Sequence, residues 1–185
     1  MNIYATTAFF ATLATGTHQA SMTPQNPMVG GMPMVVSKNI VANAVNSKDH
    51  TTLVAAVKAA GLVDALQGKG PFTVFAPTNA AFDMLPSGTV DSLLMPENKM
   101  KLTNVLTYHV VSGKMTYDSI AHAIKSGKGT ATMKTLSGHK LYAMWNGPKN
   151  IVLKDEMGGI ASISTYDVMQ SNGVIHVIDR VLMPK

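Results

Sequence analysis

Residues 73–82, Thr73-Val74-Phe75-Ala76-Pro77-Thr78-Asn79-Ala80-Ala81-Phe82, change from strand-forming to helix-forming composition within a single turn. Thr73 to Ala76 are β-branched, aromatic or small, and Pro77 cannot continue a central strand because it lacks an N–H donor. Thr78 or Asn79 can then cap a helix with a side-chain oxygen. Phe82 follows one helical turn later and would point back to the strand. The stretch therefore predicts a strand, a tight turn and a short helix packed on that strand.

Two further stretches have the same mixed character. In residues 106–113 (LTYHVVSG), the end of an apolar-faced helix with His109 on that face runs directly into a short strand. Residues 172–184 (NGVIHVIDRVLMP) contain a run from Val174 to Ile178 that is apolar on both faces, which predicts a central strand covered on both sides. His176 lies in that run. We expect His109 and His176 to be core histidines whose ring nitrogens are satisfied by hydrogen bonds.

The order of the elements indicates an α+β fold. Helical patterns fill the first half of the folded part, with one strand among them, and short strands fill the second half. Residues 133–136 and 141–145 flank Ser137-Gly138 and predict a β-hairpin, followed by strands near 151–153, 160–163 and 174–182. A sheet or sandwich covered on one side by helices fits this order.

The three quoted stretches, in this order, resemble the signature boxes of bacterial fasciclin domains, and the resemblance extends over residues 36–185. It implies a compact β-sandwich of two sheets with a helical layer, in one domain that usually works outside the cytoplasm. Members of the family typically serve cell adhesion through protein or glycan contacts. The residues to which the resemblance gives a structural place in the boxes are Thr78, Asn79, Phe82, His109, His176 and Asp179.

The resemblance also selects candidates for adhesion, because the region around the Tyr-His pair is associated with adhesion in relatives. Tyr108 projects in a different direction from His109, so we expect its side chain to be exposed. Tyr108, Val110 and Val111 are therefore the predicted contact residues. The expected partner is a cell-surface or matrix protein or a polysaccharide.

The N-terminal residues 1–21 are similar to a secretory signal peptide. An apolar run from Ala5 to Ala14 is followed by small and polar residues up to Ser21. The run is too short to span a bilayer, which needs about 20 apolar residues. No Lys or Arg precedes it, and His18 is unusual near a cleavage site, so a loosely packed N-terminal arm is the alternative. A signal peptide would place the protein outside the cell, on its surface or in the periplasm.

Residues 22–35 are rich in Met, Pro and Gly, which predicts a linker. Clustered thioethers can bind Cu(I), so Met22, Met28, Met32 and Met34 form a candidate copper set, although Met is also a flexible apolar residue. A carrier for Cu(I) or for a small apolar ligand is thus the alternative to a binding module.

Composition excludes several function classes. The 185 residues carry a formal charge of +5, but Arg180 is the only Arg and the lysines are scattered. Nucleic-acid readers usually need Arg forks and aromatic platforms, so nucleic acid is not an expected partner. The charge fits a soluble basic surface or a weak attraction to anionic polymers or membrane surfaces. The absence of Cys excludes thiol catalysis, zinc fingers and disulfide scaffolds.

No catalytic motif is present in the sequence, and the six His residues are spread without a close ligand pair. The adjacent carboxylates Asp155 and Glu156 lie beside Gly158-Gly159 in a turn-like stretch and are expected to be solvated. We therefore expect a protein without enzymatic activity, cofactor or resident metal, and without a transmembrane segment. The sequence leaves the oligomeric state and the identity of the partner open.

Overall fold

The computed structural model describes residues 26–185, which contain seven α-helices and nine β-strands. The helices are α1 (Ile40–Ala44), α2 (Thr51–Ala60), α3 (Val63–Gln67), α4 (Asn79–Asp83), α5 (Thr89–Leu94), α6 (Lys99–Tyr108) and α7 (Tyr117–Ser126). The strands are β1 (Met28–Val29), β2 (Met32–Pro33), β3 (Phe72–Pro77), β4 (Val110–Ser112), β5 (Thr130–Lys134), β6 (Lys140–Trp145), β7 (Ile151–Lys154), β8 (Ile160–Gln170) and β9 (Gly173–Ile178). Within this part of the chain, no helix is long and apolar enough to cross a membrane.

Local chemistry sets the ends of the helices. The Thr78 side chain accepts a hydrogen bond from the Ala81 N–H and caps α4, as the sequence predicts. Asn39 caps α1 in the same way through the Ala42 N–H. Helix α2 ends at Gly61, whose φ of 72° is the left-handed conformation that glycine adopts without strain.

Seven strands form one mixed sheet in the order β4-β3-β9-β8-β7-β6-β5. Strands β3 and β9 are parallel, and the other neighbours are antiparallel. The long strand β8 pairs with β7 near its start and with β9 near its end, with register shifts on either side of Thr165. The two predicted sheets are thus two halves of one sheet that share β8. Its two ends meet where Val111 bridges Thr135 and the Leu136 N–H donates to the Val110 carbonyl at 2.8 Å.

Two hydrophobic clusters lie on opposite sides of β3 and β9. Val74, Ala76, Ile175 and Val177 face the helices and form a helix-side core with them. The alternate positions, including Phe75 and Ile178, face the β5–β7 half and helix α7 and form an interior core. All six residues of β9 are buried, so the prediction of a central strand covered on both faces is confirmed. The α+β class is confirmed as well.

The Pro- and Gly-rich segment is part of the folded domain. Strands β1 and β2 form a small hairpin, and Val29 and Met34 are buried in the helix-side core. At Gly30 (φ 59°), a Cβ would collide with Ser47, so this glycine permits close packing against the following segment. Over residues 26–35 the linker prediction is therefore wrong. The predicted signal segment, residues 1–21, lies outside the described residues.

Candidate interaction surface

Tyr108, the leading adhesion candidate, has no exposed side-chain surface in this fold. Its hydroxyl donates to the Lys140 carbonyl at 2.7 Å and accepts from the Glu156 N–H at 3.2 Å. Burial raises the pKa of Tyr108 to about 12. Helix α6 ends between the two cores, so Tyr108 and His109 are both buried although they point in different directions. The prediction that Tyr108 is exposed is wrong.

Val110 and Val111 are also buried, with 3% and 4% of their surface exposed. They follow α6 in strand β4, where alternation sends Val110 into the helix-side core and Val111 into the interior core. The three predicted contact residues therefore support the junction between helix and sheet. They offer almost no surface to a partner in the folded domain.

His109 ties α6 to the C-terminal segment. Its Nε2 accepts a hydrogen bond from the Leu182 N–H at 3.0 Å, so Nδ1 carries the proton and donates to the Val105 carbonyl at 2.8 Å. Burial lowers the pKa of His109 to about 4, against smaller opposing effects of the hydrogen bond to the Val105 carbonyl and of Asp155. The imidazole is therefore neutral at ordinary pH, and both nitrogens are used by the fold.

His176 is held in the same way. Its Nδ1 accepts from the Asp167 N–H at 3.3 Å, and its Nε2 donates to the Met115 carbonyl at 2.8 Å. The ring stacks on Phe75 with centroids 5.6 Å apart. Burial lowers the pKa of His176, so this side chain is also neutral.

The remaining residues of the signature boxes join separate parts of the backbone. Asn79 accepts from the Thr52 N–H at 3.0 Å and donates to the Lys48 carbonyl at 2.9 Å. Phe82 is buried in the helix-side core, and Asp179 accepts from the Ser162 N–H at 2.7 Å.

Asn172 has a role that sequence reasoning missed. Its side chain accepts from the Ile40 N–H at 3.0 Å and donates to the Leu66 carbonyl at 2.8 Å. It therefore ties the start of β9 to two helices. The position of Asn172 just before Gly173 is also typical of an ordinary turn, so the sequence carried no signal for this contact.

The prediction that Asp155 is solvated is wrong, because only 4% of its surface is exposed. One carboxylate oxygen accepts from the Gly159 N–H at 2.6 Å and the other from the Met183 N–H at 3.0 Å. The neighbouring Glu156 accepts from the Lys140 N–H at 3.0 Å and lies 2.9 Å from His139 Nδ1. Both carboxylates hold backbone in place.

The predicted copper set does not form a common site in the described residues. Met34 is buried in the helix-side core, whereas Met28 is 62% exposed, and Met22 lies outside the described residues. Two apolar cavities near α1 hold about 50 and 30 Å³. Both are far smaller than the roughly 150 Å³ cavity that admits benzene in another protein.

One buried polar atom lies beside the smaller cavity. His50 bonds to the Ser47 hydroxyl at 2.8 Å, and its Nε2 lies near the backbone of Ala76 without a hydrogen bond of normal geometry. Among residues 26–185, no group of three or more His, Asp or Glu side chains is placed to hold a metal ion.

The β5–β8 half presents its outward side chains to solvent. Its inward residues, such as Leu141 and Leu153, belong to the interior core, which α7 also joins. Its outward residues belong to neither core. We call these outward residues the outer sheet face: Thr130, Thr132, Lys134, Lys140, Tyr142, Met144, Lys154, Ile160 and Ser162. Val152 occupies an outward position of β7 but is buried, with 6% of its surface exposed.

Strand register arranges this face in rows. Tyr142 stands between Thr132 and Lys154 on its neighbouring strands, and Ile160 continues that row on β8. At the next pair toward the hairpin turn, Lys134 stands directly opposite Lys140. The face is thus a largely uncovered surface of the curved sheet, with an aromatic ring near its centre and lysines beside it.

An α+β domain of this topology, in which the three signature boxes join helix and sheet, is a fasciclin domain. The fasciclin domain model matches residues 48–184, and the chain belongs to that family.

Individual relatives place it among bacterial members. Protein sll1483 of Synechocystis sp. is 51% identical over 145 residues, covering 78% of this chain and 73% of that protein. The cell surface glycolipoprotein MPB83 of Mycobacterium bovis is 34% identical over 171 residues, covering 89% and 70%. A fasciclin domain pair from the insect cell adhesion molecule Fasciclin I shares the fold, with a TM-score of 0.70 at 18% identity. That match covers 80% of this chain and 52% of the two-domain chain.

Proposed function

We propose that the protein is a non-enzymatic binding module that works outside the cytoplasm and attaches to surface proteins or polysaccharides. The outer sheet face is the proposed contact surface. Family membership supports adhesion as the general role, and one relative is named as a cell surface glycolipoprotein. Because fold alone does not fix function, the contact surface is argued from its own residues.

The observation that carries the proposal is the uncovered state of the outer sheet face in the described part of the chain. In a domain of this size, a sheet face is usually packed against another layer or left polar. This face instead combines Tyr142, Met144 and Ile160 with lysines. The side chain of Ile160 is 48% exposed. Aromatic and Met side chains are enriched where proteins meet partners.

The burial of four polar side chains supports a binding role over catalysis. Tyr108, His109, His176 and Asp155 each satisfy backbone groups of the fold. A catalytic acid or base has to reach a substrate. These four side chains are enclosed, so the surface is where the module can act.

The test is attachment of the full chain, labelled at its N-terminus, to isolated cell envelopes and extracellular matrix. Wild type should bind saturably. The double variant Thr132→Glu/Ile160→Glu should lose attachment, because both positions are exposed on the face and both changes add charge. Met100→Glu is the matched control, since Met100 is 87% exposed on α6. All variants should keep the wild-type melting temperature.

Three outcomes would contradict the proposal. Attachment that survives the double variant would exclude the outer sheet face as the contact surface. Loss of attachment in the Met100 variant alone would move the contact to the helical side. Absence of saturable attachment by wild type would exclude the binding function on these surfaces.

A further inference from the structure

We propose that the outer sheet face binds an acidic polysaccharide, with Lys134, Lys140 and Lys154 contacting its carboxylate or sulfate groups and Tyr142 stacking on a sugar ring. This inference rests on the proposed function and adds the chemical class of the partner. It also assigns each contact to a residue.

The first observation is the clustering of like charge. Lys134 and Lys140 are direct cross-strand partners, and Lys154 is the partner of Tyr142, two positions from Lys140 on the same face. Directly opposite residues have Cβ atoms about 4.5–5.5 Å apart, and like charges at such positions are destabilising. All three lysines are exposed. A surface that keeps this repulsion is complementary to an anion.

The second observation is that the nearby carboxylates do not pair with the three lysines. Glu156 lines the same concavity as Tyr142 and Lys154 and keeps its negative charge. Its oxygens, however, face His139 Nδ1 and the Lys140 N–H, and Asp179 accepts from the Ser162 N–H. In the part of the chain that the structure describes, no lysine forms an ion pair within 4.0 Å. Residues 1–25 contain no Asp or Glu, so that segment lacks the charge to neutralise the face.

The third observation concerns the side chains around Tyr142. Its partner on β5 is Thr132, and the adjacent row carries the hydroxyls of Thr130 and Ser162 at its two ends. Tyr142 is half-buried, which holds the ring in place for stacking. An aromatic platform bordered by hydroxyls and ammonium groups matches a sugar ring that carries hydroxyls and acidic groups.

The composition of the face favours an acidic polysaccharide over two other classes of partner, nucleic acid and protein. Nucleic-acid binding usually uses Arg forks and several stacked aromatics, whereas this face has one aromatic ring and no Arg. The centre of a protein interface is depleted in Lys, whereas lysines lie beside the central tyrosine here. A flexible acidic glycan chain fits both features.

The test measures binding of the full chain to alginate and heparin, with neutral dextran and a single-stranded oligonucleotide as comparison probes, over a series of salt concentrations. Alginate carries carboxylates and heparin also carries sulfates, so the pair separates the two anionic groups. The variant Lys134→Gln/Lys140→Gln/Lys154→Gln should weaken binding to the acidic glycan by at least about tenfold. The slope of log K against log salt should fall by roughly one for each contact removed.

The matched control is Lys38→Gln/Lys69→Gln/Lys101→Gln, which makes the same charge change at exposed positions in the helical half. It should keep affinity within about twofold, because distant exposed charges are largely screened. Tyr142→Leu should lower affinity without changing the salt slope, and Tyr142→Phe should restore it. A loss of affinity without a change in salt slope, restored by Phe, would identify stacking of the aromatic ring on the sugar. A purely electrostatic surface would not show this pattern.

Several results would overturn the inference. They are equal loss in both triple variants, equal binding to dextran, or oligonucleotide binding that matches the glycans and needs the same three lysines. Self-association in analytical ultracentrifugation that disappears in the outer-face variant would assign the face to a second copy. If envelope attachment persists while no acidic glycan binds, this inference fails and the proposed function stands.

Discussion

Replacing His109 by Ala should destabilise the domain by about 2–4 kcal/mol at pH 7. The buried Leu182 N–H loses its acceptor and the Val105 carbonyl loses a donor, and an unsatisfied buried group costs about 1–3 kcal/mol. His109 also lines the cavity of about 50 Å³ beside α1. Enlarging a void by roughly 40–60 Å³ costs about 1 kcal/mol more at about 24 cal/mol per Å³.

The assay is thermal and urea unfolding of the full chain, with His122→Ala as the control because His122 is exposed on α7. At about 2–4 °C per kcal/mol for a chain of this size, the His109 variant should melt roughly 4–16 °C below wild type. His122→Ala should melt with wild type. An unchanged melting curve for His109→Ala would refute the inferred bond between α6 and the C-terminal segment.

The His109→Ala variant should also change how the free energy of unfolding depends on pH. The folded-state pKa of His109, about 4, lies below the ordinary value of 6.5, so protons bind the unfolded chain preferentially. Stability linked to His109 is present above pH 6.5 and is lost as the pH falls toward 4, by about 3 kcal/mol. His109→Ala should flatten this part of the profile. Part of the slope should remain, because burial also lowers the pKa of His176.

Two further substitutions test the corrected parts of the sequence interpretation. Tyr108→Phe removes the hydroxyl that bonds the Lys140 carbonyl and the Glu156 N–H. Urea unfolding should therefore show a free energy of unfolding about 1–3 kcal/mol lower, while envelope attachment is unchanged. Weakened attachment with unchanged stability would instead make Tyr108 a contact residue. Met34→Ala should cost about 2–5 kcal/mol because this side chain is buried in the helix-side core, whereas Met28→Ala should cost almost nothing; equal effects would show that residues 26–35 are a linker after all.

Local sequence signals predicted the elements well because they depend on near neighbours. The cap at Thr78 and the hairpin around Ser137-Gly138 each follow from residues close in sequence, and the structure has them. The doubly apolar run in β9 likewise identified a central strand.

The errors arose where distant segments meet. Tyr108 is buried because β6 and the loop after β7 pass over α6, and α6 alone carries no sign of them. Asp155 is buried because the backbone of Met183 returns to it from 28 positions away. Met34 has linker-like neighbours in sequence but core neighbours in space.

The outer sheet face was missed for a related reason. Alternation along β5 to β7 separates two sets of side chains, but it does not say which set the helices cover. Helix α7 decides this by joining the interior core. The cross-strand register that brings Lys134, Lys140 and Lys154 together also depends on the assembled sheet.

The central place of β9 has a consequence for synthesis of the protein. Its partners β3 and β8 lie about 100 and 10 residues earlier in the chain, and β9 is the strand that lies between them in the sheet. Synthesis must therefore reach β9 before β3 and β8 can be brought together through it, and such late, long-range pairing is slow. A product that stops before Gly173 would expose the unpaired edges of β3 and β8, the kind of edge that invites aggregation and proteolysis. A chain that terminates before Gly173 should therefore be unstable, although it contains the first two signature boxes.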